Sequence, residues 1–251
     1  LSVMTCALLG DQAHAIEVLD NAWEVDSGLL YYQESDDRVN VIKVIASAKG
    51  KISDNDTVSL KTVYDTMSGA TPSGAAPGND ISFTGASGGG IAGTGEAAPL
   101  AKFDDTRLAQ TIEWAHQYDR QNSFVFNGGV SVENDFRSFS LGAIYNREYN
   151  NKTRMLTAGL AGTYDQVFRV GGNDTPVGLS LVSNQQYLGE GEKTTVDGIV
   201  GLTMVVNQRT VAQFNLGASL TQGYLTDPYK QFSTVDSSGV PVEQYFEKRP
   251  D

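Results

Sequence analysis

The stretch Phe124-Val125-Phe126-Asn127-Gly128-Gly129-Val130-Ser131-Val132, followed after Glu133-Asn134-Asp135 by Phe136-Arg137-Ser138-Phe139-Ser140-Leu141-Gly142-Ala143-Ile144-Tyr145, decides the fold class. Phe124, Phe126, Val130 and Val132 share one parity, and Asn127, Ser131 and Glu133 share the other. In the second run Phe139, Leu141, Ala143 and Tyr145 oppose Ser138, Ser140 and Asn146. Successive side chains of a strand point to opposite faces, so this period of two predicts paired strands with one apolar and one polar face. Segments of ~10 residues that alternate in this way, separated by turn residues, are how a membrane-spanning strand reads, with lipid on one side and water on the other.

The pattern extends in both directions from this hairpin. Toward the N-terminus, Trp23, Val25, Leu29 and Tyr31 oppose Glu24, Asp26 and Gly28, and Ile42, Val44, Ala46 and Ala48 oppose Lys43, Ser47 and Lys49. Val58, Leu60, Thr62 and Tyr64 oppose Ser59, Lys61 and Asp65. Toward the C-terminus, Phe214, Leu216, Ala218 and Leu220 oppose Gln213, Asn215, Ser219 and Thr221. Residues 155–164 and 196–206 alternate more weakly, because both faces are small or apolar. Residues 106–118 also carry Leu108, Ile112 and Ala115 at helical spacing, and are read as a strand because their neighbours are strands. About nine segments result, which predicts an all-β protein, an antiparallel up-and-down transmembrane barrel.

The connections are an independent sign, since short turns and long loops sort to opposite ends of such a barrel. Residues 49–56, 119–122, 147–153 and 207–210 are short and polar. The alternate gaps include 67–104, 165–194 and the segment beyond Leu225, all long, with short ones at 34–38 and 134–136. An N-terminus on the periplasmic side places every long loop outside. Trp23, Tyr31, Tyr64, Trp114, Tyr118, Tyr145 and Tyr224 fall near segment ends, as interfacial aromatic girdles do. A soluble β-sandwich would show turns of more equal length and a more apolar inner face. Single-chain bacterial barrels use an even strand count, and residues 248–251 read as polar loop, so further strands are expected beyond Asp251.

Composition narrows the remaining classes. The 251 residues are 40% hydrophobic and 19% charged, which suits a folded protein, and no apolar run approaches the ~18–20 residues of a membrane-spanning helix. Residues 1–15 read as a partial signal peptide, with an apolar start and the small-x-small site Ala13-His14-Ala15, leaving 16–251 as part of one domain. Around Cys6, Val3-Met4-Thr5 matches a lipoprotein processing site poorly. The mature segment keeps no cysteine and one histidine, His116, which fits an exported protein and removes most catalytic chemistry. A net charge of −12 argues against nucleic acid as a partner.

Candidate motifs are sparse. Gly88-Gly89-Gly90-Ile91-Ala92-Gly93 has dinucleotide-loop spacing, but it lies in the Gly, Ala, Ser and Pro-rich stretch 68–99 with no βαβ unit around it. Asp80, Glu96, Asp104, Asp105, Asp174 and Asp227 gather in the outer loops without the spacing of a calcium loop, and are expected to face solvent or cation-bridged lipopolysaccharide. His116 with Asp119 lacks the partnered nucleophile and oxyanion donor of a hydrolase. No catalytic residue, cofactor or metal site is therefore expected. The informative residues are Glu24, Asp26, Lys43, Lys61, Asp65, Arg107 and Glu113, which the alternation turns inward from the first four segments, where opposite charges pair across a sheet. In the loop 67–104 the ends are expected to be anchored, with Asp104 and Asp105 at one of them. Its middle, 82–96, is too poor in large side chains to fold alone.

Leu29-Leu30-Tyr31-Tyr32-Gln33-Glu34 with Asp37-Arg38, Ser68-Gly69-Ala70-Thr71-Pro72-Ser73-Gly74-Ala75, Phe103-Asp104-Asp105-Thr106-Arg107, Gly223-Tyr224-Leu225-Thr226-Asp227-Pro228-Tyr229-Lys230 and Arg249-Pro250-Asp251 resemble blocks of an exported proteobacterial family classed as a domain of unknown function. The resemblance spans nearly the whole mature segment. It implies an outer-membrane barrel of about 400 residues and ~14–16 strands, inserted by the barrel-assembly machinery, of which this chain is the N-terminal part. It supplies no activity or catalytic residue, and implies through neighbouring genes only a loose envelope redox link. The expected function is a passive pore or transport channel in a Gram-negative outer membrane. The alternative is a non-conducting barrel that docks a periplasmic partner.

Overall fold

The computed structural model describes residues 23–34, 39–72, 81–84, 90–93, 100–169, 175–184, 186–189, 191–238 and 241–249. The leader with Cys6, the turn at 35–38, Asp80, Glu96 and Asp174 lie outside the described residues. In chain order the strands are β1 (Glu24–Gln33), β2 (Val39–Lys51), β3 (Asp56–Pro72), β4 (Ile81–Thr84), β5 (Gly90–Gly93), β6 (Leu100–Gln117), β7 (Asn122–Val132) and β8 (Phe136–Tyr149). There follow β9 (Arg154–Val167), β10 (Thr175–Pro176), β11 (Tyr187–Gly189), β12 (Gly191–Asn207), β13 (Thr210–Gly223), β14 (Gln231–Val235) and β15 (Pro241–Phe246). A 3₁₀ turn at Val182–Asn184 is the only helical element among the described residues.

Nine strands form one antiparallel sheet in the order β1-β2-β3-β6-β7-β8-β9-β12-β13, each paired with its predecessor in that order, and β1 and β13 are its unpaired edges. Nine is also the number of alternating segments in the sequence. The ambiguous segment at 106–118 is strand, because β6 pairs along its length with β3 and over its second half with β7. Ladder bonds on both sides outweigh the helical spacing of Leu108, Ile112 and Ala115.

The register aligns the two parities across the whole sheet. Leu29 lies opposite Val44, Val44 opposite Tyr64, Tyr64 opposite Leu108 and Leu108 opposite Val132. Farther along, Phe139 meets Tyr164, Leu160 meets Gly198 and Val200 meets Leu216. This face is exposed: Leu29 is 65% accessible, Leu141 57%, Leu160 69% and Leu216 78%. The large apolar side chains buried among the described residues are Phe168 and Phe246, neither of them in the nine-stranded sheet. The other sheets among these residues have two strands each and are too small to form a second layer.

At one end of the sheet the strands are joined by the tight links 52–55, 118–121, 150–153 and 208–209. In the third of these Asn150, Asn151 and Lys152 all have positive φ, a conformation that asparagine tolerates better than most residues. The opposite end carries the long connections, and here the strands run farther than the apolar alternation. β3 and β6 continue to Pro72 and Leu100, so Asp104 and Asp105 are not loop residues but lie in β6, opposite Ser68 and Met67. Similarly Asp165 belongs to β9, and Lys193 opposite it to β12. Backbone pairing does not depend on side-chain polarity, which is why the alternation understates strand length. Within the long connection between β3 and β6, β4 pairs antiparallel with β5.

Candidate functional site

The polar face is the part of the sheet on which chemistry can be built. The register sets Lys43 opposite Asp65 and Asp65 opposite Arg107, and places Asp26, Lys61, Glu24 and Glu113 on the same side of the sheet. All seven charged residues singled out in the sequence therefore share one face. Three of them meet: Arg107 donates to Asp65 Oδ2 from Nη2 at 2.7 Å and from Nε at 3.1 Å, and Lys43 Nζ stands 3.8 Å from the same oxygen. Among the described residues Glu24, Asp26, Lys61 and Glu113 form no ion pair within 4 Å. Opposite charges on adjacent strands thus make a ladder across β2, β3 and β6, as cross-strand neighbours do.

Across the rest of the face runs a row that is not apparent from any one segment. Ser47, Lys61, Thr111, Gly129, Ser140, Thr163, Thr195 and Thr221 are successive register partners from β2 to β13. Thr195 and Thr221 are within hydrogen-bond distance of one another at 3.1 Å. In the neighbouring row, Gly142 of β8 lies opposite Asn127 of β7, and a Cβ there would meet Asn127 Oδ1 at 2.6 Å. The face is lined with hydroxyls and small residues, and away from the ladder it carries the ion pair of Lys193 Nζ with Asp165 Oδ2 at 3.0 Å.

The ladder leads into a second feature at the long-connection end. Asp105 of β6 and Glu133 and Asp135 of the β7–β8 turn bring carboxylate oxygens within 4.8 Å of one another. Asn134 ties this turn to β6, donating from its backbone to Asp105 Oδ1 and from its side chain to the Asp104 carbonyl, each at 3.4 Å. Burial pushes the Glu133 carboxyl up to about 7, aided by the charges of Asp105, Asp135 and Asp65 and opposed by Arg107. Burial also raises Asp135, against a hydrogen bond from Tyr229. Three side chains fall short of the six to eight oxygens that a calcium ion takes, and the cluster alone does not define a cation site. The alternation puts Glu133 on the polar parity, but its convergence with Asp105 and Asp135 depends on how β6 and β7 pair.

His116 is engaged elsewhere. Its Nδ1 lies 2.8 Å from Asp56 Oδ1, an oxygen that also accepts from Trp114 Nε1 at 2.8 Å, while Asp119 accepts from Gln121 and Asn122 of its own turn. Those bonds hold the Asp119 carboxyl below its ordinary value. Around His116, Trp114 stacks on Phe126, Phe126 on Phe124, and Phe124 packs against Tyr145, forming an aromatic band on the apolar face at the short-link end.

These features define a class: an all-antiparallel β protein whose large sheet is apolar and exposed on one side and polar and charge-paired on the other. The chain belongs to the family described as a protein of unknown function, DUF3570, whose model matches residues 1–251. No curated protein and no solved structure matches it.

Proposed function

We propose that the nine-stranded sheet is part of a β-barrel in a Gram-negative outer membrane, closed by further strands between β1 and β13, and that the barrel is a passive pore or transport channel. The observation that carries this reading is the exposed apolar face. Monomeric soluble proteins rarely expose contiguous apolar patches above a few hundred Å², whereas exposed large apolar side chains recur on this one face in all nine strands, from Val25 and Leu29 of β1 to Leu216 and Leu220 of β13. Lipid satisfies such a face, and unpaired sheet edges are not tolerated in hydrocarbon, so membrane residence requires closure. The polar face then lines the lumen, with the Lys43–Asp65–Arg107 ladder near the long-connection end. Lipid and lipopolysaccharide are the partners of the apolar side, and the barrel-assembly machinery inserts it.

A second reading is a closed barrel that supports a periplasmic partner, possession of a redox function by that partner being one form of it. It is favoured by the ladder, because paired charges can brace a filled lumen as well as line an open one. Expression of the full-length gene, membrane fractionation and a heat-modifiability gel test residence, and a soluble periplasmic product contradicts it. Planar-bilayer recording separates the two readings. An open channel predicts steady conductance whose ion selectivity changes with Lys43→Glu or Lys61→Glu, and a bracing barrel predicts little conductance and a co-purifying partner.

A further inference from the structure

On the exposed apolar face, β7, β8, β9, β12 and β13 leave an open groove of about 600 Å³. Its depth comes from differences in side-chain size between register partners. Ala143 lies between Phe126 and Leu160, Ala158 between Tyr145 and Val200, and Gly198 between Leu160 and Ala218. One wall is aromatic and fixed: the Phe124 and Tyr145 rings pack with centroids 5.0 Å apart, and the Tyr145 hydroxyl donates to Asn122 Oδ1 at 2.5 Å. The other is branched, with Val200 and Leu216 both more than half exposed. The side chains that line the groove are apolar, the Tyr145 hydroxyl excepted.

The charge at the short-link margin of this groove has one sign. Arg147 follows Tyr145 by two residues on β8, and Arg154 precedes Leu156, the register partner of Arg147, by two on β9, so strand parity turns both to the apolar face. Both are exposed, and neither forms an ion pair within 4 Å among the described residues. Glu148, adjacent to Arg147, has the opposite parity and pairs with Lys152 at 2.8 Å. Asp119, which Arg147 attracts from the β6–β7 turn, already accepts from Gln121 and Asn122 of that turn. Among the described residues of β7, β8, β9, β12 and β13, the only carboxylate of the apolar parity is Glu192, at the long-connection end. An apolar groove that ends at two cations matches a molecule with an apolar tail and an anionic head. We propose that the groove binds an anionic phospholipid, with one acyl chain along Ala143, Ala158 and Gly198 and the phosphate held between Arg147 and Arg154. Diagonal neighbours on paired strands stand ~7–8 Å apart, and guanidinium donors match phosphate oxygens, so two such groups can share one phosphate. The assignment rests on the membrane reading above and deepens it, because it gives the leaflet at the short-link end a preferred lipid.

Native mass spectrometry of the full-length protein, folded in detergent and titrated with dioleoyl phosphatidylglycerol or dioleoyl phosphatidylcholine, reads the site. The phosphatidylglycerol adduct should be the tighter one. Arg147→Gln and Arg154→Gln should each weaken it about fivefold and narrow its lead over phosphatidylcholine. Ala158→Phe, which fills the groove with a side chain that a lipid-facing strand accepts, should weaken both lipids alike. Arg137→Gln is the control: Arg137 has the same parity at the long-connection end, over the Phe168 ring at 5.1 Å, and its loss should change neither affinity. A heat-modifiability gel shows that each variant is folded. Equal affinity for the two lipids, or a phosphatidylglycerol preference that survives both Arg147→Gln and Arg154→Gln, overturns the proposal. So does a homo-oligomer that Ala158→Phe dissociates, since a second copy then fills the groove. Any of these results in a heat-modifiable barrel leaves the membrane reading standing, whereas a soluble product overturns both.

Discussion

Asp65 is where the polar face is most sensitive to a single change. Its carboxylate oxygen takes both Arg107 nitrogens and the Lys43 ammonium, and its side chain is only 17% exposed. Arg107 and Lys43 are each about one-third exposed, so solvent screens their side of the interaction and the ladder contributes less than a fully buried pair. Asp65→Ala removes the shared acceptor and leaves two cations side by side, which is expected to cost ~1–2 kcal/mol. Denaturant unfolding of the full-length protein checks the value. Lys61→Ala, which breaks no ion pair among the described residues, is the control and should stay within ~0.5 kcal/mol. The charges themselves were legible from alternation alone, because parity on a strand is a matter of counting. Which of them meet was not, since Asp65 and Arg107 are distant in sequence and only the β3–β6 register makes them neighbours.

The strands bear the same division at the next scale. On β8, Ser140 and Leu141 are adjacent in sequence and opposite in orientation: Ser140 sits in the hydroxyl row and Leu141 on the exposed apolar face. In a lipid-facing sheet, Leu141→Arg should cost ~2–4 kcal/mol near the bilayer midplane, whereas Ser140→Arg, pointing to the polar side, should leave assembly intact. Unfolding in lipid vesicles measures both, and equal tolerance of the two changes would contradict the assignment of faces. Element type was readable because the alternation of β7 and β8 has no competing period, and even β6, with its helical spacing, followed its neighbours. Element ends were not readable. The outer parts of β3, β6, β9 and β12 lose the regular apolar alternation, and what keeps them extended is the ladder of backbone bonds to the next strand. The packing between the segments after β9 and β13 was not readable for a related reason: its contacts join Arg169 to Tyr229 and Phe246 across long separations, with no periodic trace.

At the scale of the whole molecule, the described residues invert the usual placement of apolar side chains, with the large hydrophobics of the sheet on an exposed face and the buried Phe168 and Phe246 off the nine-stranded sheet. Such an arrangement is stable only where the outside is itself apolar, and this is the claim on which the account rests. Residues 16–251 contain no cysteine, so a thiol introduced in β8 has no other within that stretch to compete for the label. Single cysteines placed in turn from Ser138 to Ala143 of β8 in the full-length protein, reconstituted in vesicles, can be probed for reaction with a lipophilic and a water-soluble maleimide. The account predicts a period of two, with Phe139→Cys, Leu141→Cys and Ala143→Cys reacting with the lipophilic reagent and Ser138→Cys, Ser140→Cys and Gly142→Cys with the water-soluble one. Uniform reaction of all six with the water-soluble reagent, or no alternation between the two reagents, would contradict it.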